Sequence, residues 1–134
     1  MTVEHLNPAS LAPPNGYSHV TVATGRSLAF IAGKIAVDAD GALVGAGDYR
    51  TQGRVAARNL WLALQAAGGR PDQLARLSIY IVDHTPERED DVLAGMAEAA
   101  VESGIGPTAG ILIGVAAVGI PGALVEIEAV AVLD

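Results

Sequence analysis

At 134 residues the chain has the length of one domain, and with 51% hydrophobic and only 17% charged residues it can bury a substantial core. A formal net charge of -7 and the lack of any Lys/Arg run disfavour nucleic-acid backbones, which attract basic surfaces. The absence of cysteine excludes a disulfide framework and a thiol nucleophile and is compatible with a reducing compartment.

The opening MTVEHLNPAS lacks the basic-then-apolar plan of a signal peptide, so the expected location is cytoplasmic. Pro8, Pro13 and Pro14 predict an extended lead-in with little regular structure up to Gly16. Ser18 to Thr24 alternates as a strand, Gly25-Arg26 reads as a tight turn, and Ser27 to Val37 reads as a second strand, mostly apolar on both sides. Together they predict an antiparallel hairpin. A Gly- and Asp-rich loop follows to Gly47, with a short extended piece at Ala42 to Val44. Its glycines match neither a dinucleotide nor a phosphate-loop pattern.

Asp48 is placed to cap a helix whose apolar face is Val55, Ala56, Leu60, Ala63, Leu64 and Ala67, with Trp61 at the border and Gly68-Gly69 as the stop. Leu74 to Val82 alternates as a strand. Thr85, Pro86, Glu87 and Glu89 have the chemistry of a second helix start. Val92, Met96 and Ala100 give that helix its buried stripe, and Gly104 its end.

Ala109 to Val118 is almost unbroken apolar, Gly119, Pro121 and Gly122 supply a turn, and Leu124 to Leu133 is a last strand. The pair predicts a second hairpin. The same run is slightly short for a membrane span, which needs about 20 apolar residues, and glycines and a proline interrupt it; no membrane partner is expected. In the last strand Val125, Ile127, Ala129, Ala131 and Leu133 take one face, and Glu126, Glu128, Val130 and Val132 the other.

The predicted order is β-β-α-β-α-β-β: one α+β domain over residues 1–134, with two helices covering one face of a single sheet. The strands at Ala29–Val37 and Ala109–Val118 are apolar on both sides, and nothing in the chain remains to cover the second face. That predicts a homo-oligomer packed sheet against sheet. Glu126 and Glu128, about 7 Å apart on one strand face, could serve as acid and base, or could be solvated carboxylates of a half-exposed strand. His5, His19 and His84 have no metal-ligand spacing, and no metal or cofactor is expected.

Several stretches resemble the RidA/YjgF family of small trimeric enamine and imine deaminases, also labelled endoribonucleases. They are Asn15-Gly16-Tyr17-Ser18, Ala32-Gly33-Lys34, Gln52 and Asn59 in the first helix, Ala67-Gly68 at its end, and the closing Val125-Glu126-Ile127-Glu128-Ala129-Val130-Ala131. The resemblance implies a chorismate-mutase-like fold and a homotrimer with small-molecule clefts between subunits. It implies Glu126 as the residue that positions water, and Tyr17, Gly33, Lys34, Gly110 and Leu112 as substrate-binding positions. The chain departs from the family where the resemblance implies an arginine that grips the substrate carboxylate: the motif falls on Thr108, Ala109 and Gly110 or, starting at Pro107, puts Ala109 at the arginine's place, and no Lys replaces it nearby. The family's mid-helix asparagine is also absent, where the chain reads Asp90-Asp91-Val92-Leu93. The resemblance therefore implies either a hydrolase acting on an enamine, imine or related small metabolite without the usual carboxylate, or a non-catalytic ligand-binding or regulatory trimer. Net charge speaks against the ribonuclease role.

Overall fold

The computed structural model describes residues 3–134. Strands β1 (Val3–Leu6), β2 (Val20–Ala23) and β3 (Ser27–Lys34) lead into helix α1 (Tyr49–Ala66). Strand β4 (Leu74–Val82), helix α2 (Pro86–Ser103) and strands β5 (Gly110–Val115) and β6 (Val125–Leu133) complete the chain. The helix signals act as their chemistry requires. Asp48 accepts from the Thr51 amide at 3.1 Å and from its hydroxyl at 2.7 Å, which holds the Asp48 carboxyl below the usual carboxylate range. That stabilisation is present at neutral pH and is lost as pH falls through the lowered value. Thr85 Oγ1 accepts from the Arg88 amide at 3.2 Å, and α2 ends on Gly104 at φ 78°. No helix among the described residues is long and apolar enough to cross a membrane.

Four strands form the main sheet in the order β3-β6-β4-β5. β6 pairs antiparallel with β3 and β4, and β5 lies parallel to β4. This corrects the second predicted hairpin: β5 and β6 are sequence neighbours, but β4 lies between them. The α2 crossover is what a parallel β4–β5 pair demands. The nine-residue β6 then satisfies both its edges with long partners, leaving the six-residue β5 on the outside.

The first predicted hairpin is also corrected. The Arg26 amide donates to Leu133 O at 2.8 Å, so the chain starts β3 on β6 instead of folding it back on β2. β2 pairs with β1 in a separate antiparallel ribbon, Val3 opposite Ala23 and Leu6 opposite Val20. The expected irregular lead-in therefore contains a strand, and the single expected sheet is two. Thr21 Oγ1 donates to Ala75 O and ties the ribbon to β4.

Ile79 and Ile81 of β4 and Val125, Ile127, Ala129 and Ala131 of β6 pack with Ala56, Leu60 and Leu64 of α1 and Val92 of α2. Each large side chain so buried contributes about 1.5–3 kcal/mol. The other sheet face is open. Leu28 and Phe30 of β3 stand opposite Val132 and Val130 and remain 61% and 76% exposed, and Ile111 of β5 remains 47% exposed.

Candidate active site

Glu126 lies on the open face of β6, directly opposite Tyr80 of β4. Its carboxylate rests against Gly33. A Cβ built on Gly33 would stand 2.7 Å from Glu126 Cδ and 2.9 Å from Oε1, so a side chain there would push the carboxylate from this position. A break in the β3–β6 register between Ile31 and Lys34 arranges this. Beyond it Gly33 backs onto Glu126, while Lys34 pairs with Ile127, the register of the helix-covered face, and is half-buried. The half-buried Glu126 carboxylate makes no ion pair among the described residues.

Beside it, the Tyr80 hydroxyl donates to Glu128 Oε1 at 2.6 Å. No local signal announces this pair, whose members are 48 residues apart and meet only because β4 inserts beside β6. Glu128 raises the Tyr80 phenol above the usual 10.0, chiefly through that hydrogen bond, with desolvation adding to it. The contact is at full strength below pH about 10 and is lost as pH rises through the raised value. In Glu128→Gln one tyrosine should titrate closer to the ordinary phenol range, read by ultraviolet phenolate absorbance. An unchanged titration in the variant would remove Glu128 as the cause.

Tyr17 belongs to a different place. It lines a cavity of about 780 Å³ with His5, Ser18, Arg70, Asp72 and Thr108, its ring edge-on to His19 at 5.3 Å. His5 Nδ1 and Ser18 Oγ are 2.8 Å apart there. Sequence reading missed this pair because it depends on the β1–β2 ribbon. The Ser18 amide donates to Thr108 O at 3.2 Å, which ties Tyr17's segment to the approach of β5.

Gly110 opens β5 in register with Leu77, and Leu112 pairs with Ile79 and packs against the core. Both thus follow the helix-covered register. A Cβ on Gly110 would fall on the Leu77 carbonyl oxygen, far inside van der Waals contact, so the strand backbone itself excludes a side chain there. One chain therefore brings Glu126 and Gly33 together and keeps Tyr17, Gly110 and Leu112 elsewhere. Along β4 the Tyr80 and Leu77 rungs are three residues apart, about 10 Å. Among the described residues no three or more His, Cys, Asp or Glu converge as a metal site would require.

The sequence model of a family described as Endoribonuclease L-PSP matches residues 7–133. A Yersinia pestis protein of the Rid family, YyfB, of unknown function, is 35% identical over 99% of this chain and 100% of its own, with a TM-score of 0.87. A Mycobacterium tuberculosis member of the YjgF/YER057c/UK114 family is 32% identical over 87% of this chain and 86% of its own, at TM-score 0.62. Escherichia coli TdcF with bound serine, 22% identical over 98% of each chain at TM-score 0.68, shares the fold. No curated protein matches the chain significantly.

Proposed function

Because this chain belongs to the Endoribonuclease L-PSP family, the Rid/YjgF proteins, we propose that it is a homotrimeric hydrolase of a small imine or enamine, working in clefts between its copies. The observation that carries this reading is the Glu126 carboxylate, free of ion pairs among the described residues and seated against Gly33 on an open sheet face. A second copy would bring its Tyr17 and its β5 entrance to that carboxylate. This accounts for two sets of site positions lying apart within one chain. The exposed Leu28, Phe30 and Ile111 are the apolar surface such packing would cover.

In this reaction Glu126 accepts a proton from water as the water oxygen bonds to the C=N carbon and the π electrons move to nitrogen. Glu126 then returns the proton to nitrogen. The carbinolamine expels ammonia and leaves a carbonyl, so one water is consumed for each ammonia released. The substrate is one without a carboxylate. Gly110 supplies no guanidinium, and each missing charge-assisted hydrogen bond is worth about 1.5–3 kcal/mol. The closed backbone at Gly110 equally favours a second reading, a ligand-binding trimer that uses the same cleft without turnover.

Ammonia release decides between them. Freshly generated uncharged imines should be hydrolysed faster than 2-iminobutanoate, and Glu126→Gln should lose about 10²-fold or more of the rate. No release above background from any of them leaves the binding trimer. RNA cleavage that survives repurification and disappears in Glu126→Ala would instead favour a ribonuclease.

A further inference from the structure

Arg76 is an exposed cation on the open face that pairs with no carboxylate among the described residues. It stands opposite Val130, and with Phe30, Ser78, Glu128 and Val130 it lines a shallow cavity of about 340 Å³ on that face. Glu128, paired with Ser78, is its diagonal neighbour across the β4–β6 ladder, a position from which an ion pair could form. It does not form. The Tyr80 hydroxyl takes Glu128 Oε1 at 2.6 Å, and among the described residues no carboxylate lies within ion-pair reach of Arg76. Exposed to water, an unmatched guanidinium costs nothing. Arg76, however, shares its face with Phe30 at 76% and Leu28 at 61% exposure, which are stable only when covered. Covering them desolvates Arg76, and a desolvated cation must meet a carboxylate or oppose the association.

We propose that the occupant of this face is a second copy of the chain, and that Arg76 of one copy pairs with Glu128 of the next, fixing the register in which the sheets meet. The proposal rests on the self-assembly put forward above and adds the contact that gives it its specificity. Two further features favour Glu128 over Glu126 as the acceptor. Glu126 is half-buried against Gly33, within the packing of its own chain, whereas Glu128 is exposed. Glu128 also keeps one oxygen, Oε2, clear of the Tyr80 bond and free to receive a guanidinium. Tyr80 thus acts as a positioning residue, holding Glu128 away from its own Arg76 and presenting it outward. The arrangement is directional: each copy offers one cation and one anion, so every copy can give to one neighbour and receive from another in a closed ring.

Light scattering across a dilution series tests this. The wild-type chain should give three times its 13.6 kDa mass at micromolar concentration. Arg76→Glu should raise the concentration of half-dissociation by about tenfold or more, and Arg76→Glu combined with Glu128→Arg should bring it back towards wild type. Arg76→Gln and Glu128→Gln, which keep side-chain size, should show non-additive effects in the double variant; they decide the matter if the charge reversals fail to fold. Tyr80→Phe should weaken assembly while leaving monomer secondary structure intact. A wild-type monomer overturns the assembly reading and this pair with it. A wild-type trimer whose dissociation Arg76→Gln leaves unchanged, or whose glutamine variants add independently, overturns the pair alone. Rescue by reversal at Glu126 and not at Glu128 also overturns it.

Discussion

Gly110→Arg is expected to destabilise the chain by about 3 kcal/mol, at the upper end of what overpacking costs, and to confer no recognition of carboxylate substrates. The substitution looks like a repair, since it places an arginine where the family resemblance implies one. The obstacle lies at Cβ, before the guanidinium is reached. That atom would land on the Leu77 carbonyl oxygen, in a parallel ladder where the Leu77 amide already donates to Ala109 O at 2.9 Å. To admit any side chain, β5 must part from β4 at its first rung. Gly110→Ala should therefore carry most of the loss by itself, seen as a shift of the urea midpoint with an unchanged slope. If the alanine variant proves neutral, the backbone has room, and the missing arginine is a matter of one side chain only. If the alanine variant is destabilised as expected, the exclusion of a side chain at Gly110 is built into the strand spacing, and a single substitution does not reverse it.

Gln52→Ala is expected to cost about 2–4 kcal/mol, through the loss of a buried side chain and of the three hydrogen bonds it makes. The Gln52 side chain is fully buried. Its Nε2 donates to Gly45 O and Gly122 O, each at 3.1 Å, and its Oε1 accepts from the Leu124 amide at 2.8 Å. The residue thus ties α1 to the loop before it and to the turn before β6. Gln52→Glu separates the parts of this clamp: a carboxylate still accepts from Leu124 but offers nothing to the two carbonyls. It too should lower the urea midpoint, and a wild-type midpoint in that variant would show the two donated bonds to be dispensable. Because Leu124 lies two residues before Glu126, material that survives folding should also hold the Glu126 carboxylate less firmly.

What the sequence revealed about the fold follows the range of the forces involved. Asp48, Thr85 and Gly104 announce helix ends because caps act within three or four residues. The alternation of Leu74–Val82 and Val125–Leu133 reveals both strands and the buried side of each. Pairing is another matter. Gly25-Arg26 and Gly119–Gly122 look like hairpin turns, yet the partners of the flanking strands are set by contacts outside those turns, such as Gly110 with Leu77 and, more than a hundred residues away, Arg26 with Leu133. At the candidate site, alternation alone put Glu126 and Glu128 on one face. The register break in β3 was invisible, and since strand faces alternate with every residue, a break of that kind decides whether Gly33 or Lys34 lies beside Glu126. The Tyr80–Glu128 and His5–Ser18 contacts were out of reach for the same reason: each needs two strands whose adjacency no local signal encodes.

The central place of β6 has a bearing on durability. With β3 on one edge and β4 on the other, β6 is the strand braced along most of its length from both sides, so its amide protons should exchange with solvent more slowly than those of β5 at the sheet's edge. Glu126 and Glu128 thus stand on the best-anchored strand of the sheet. Tyr17 lacks that bracing: its segment lies outside the main sheet and meets the β5 approach through the Ser18–Thr108 backbone bond.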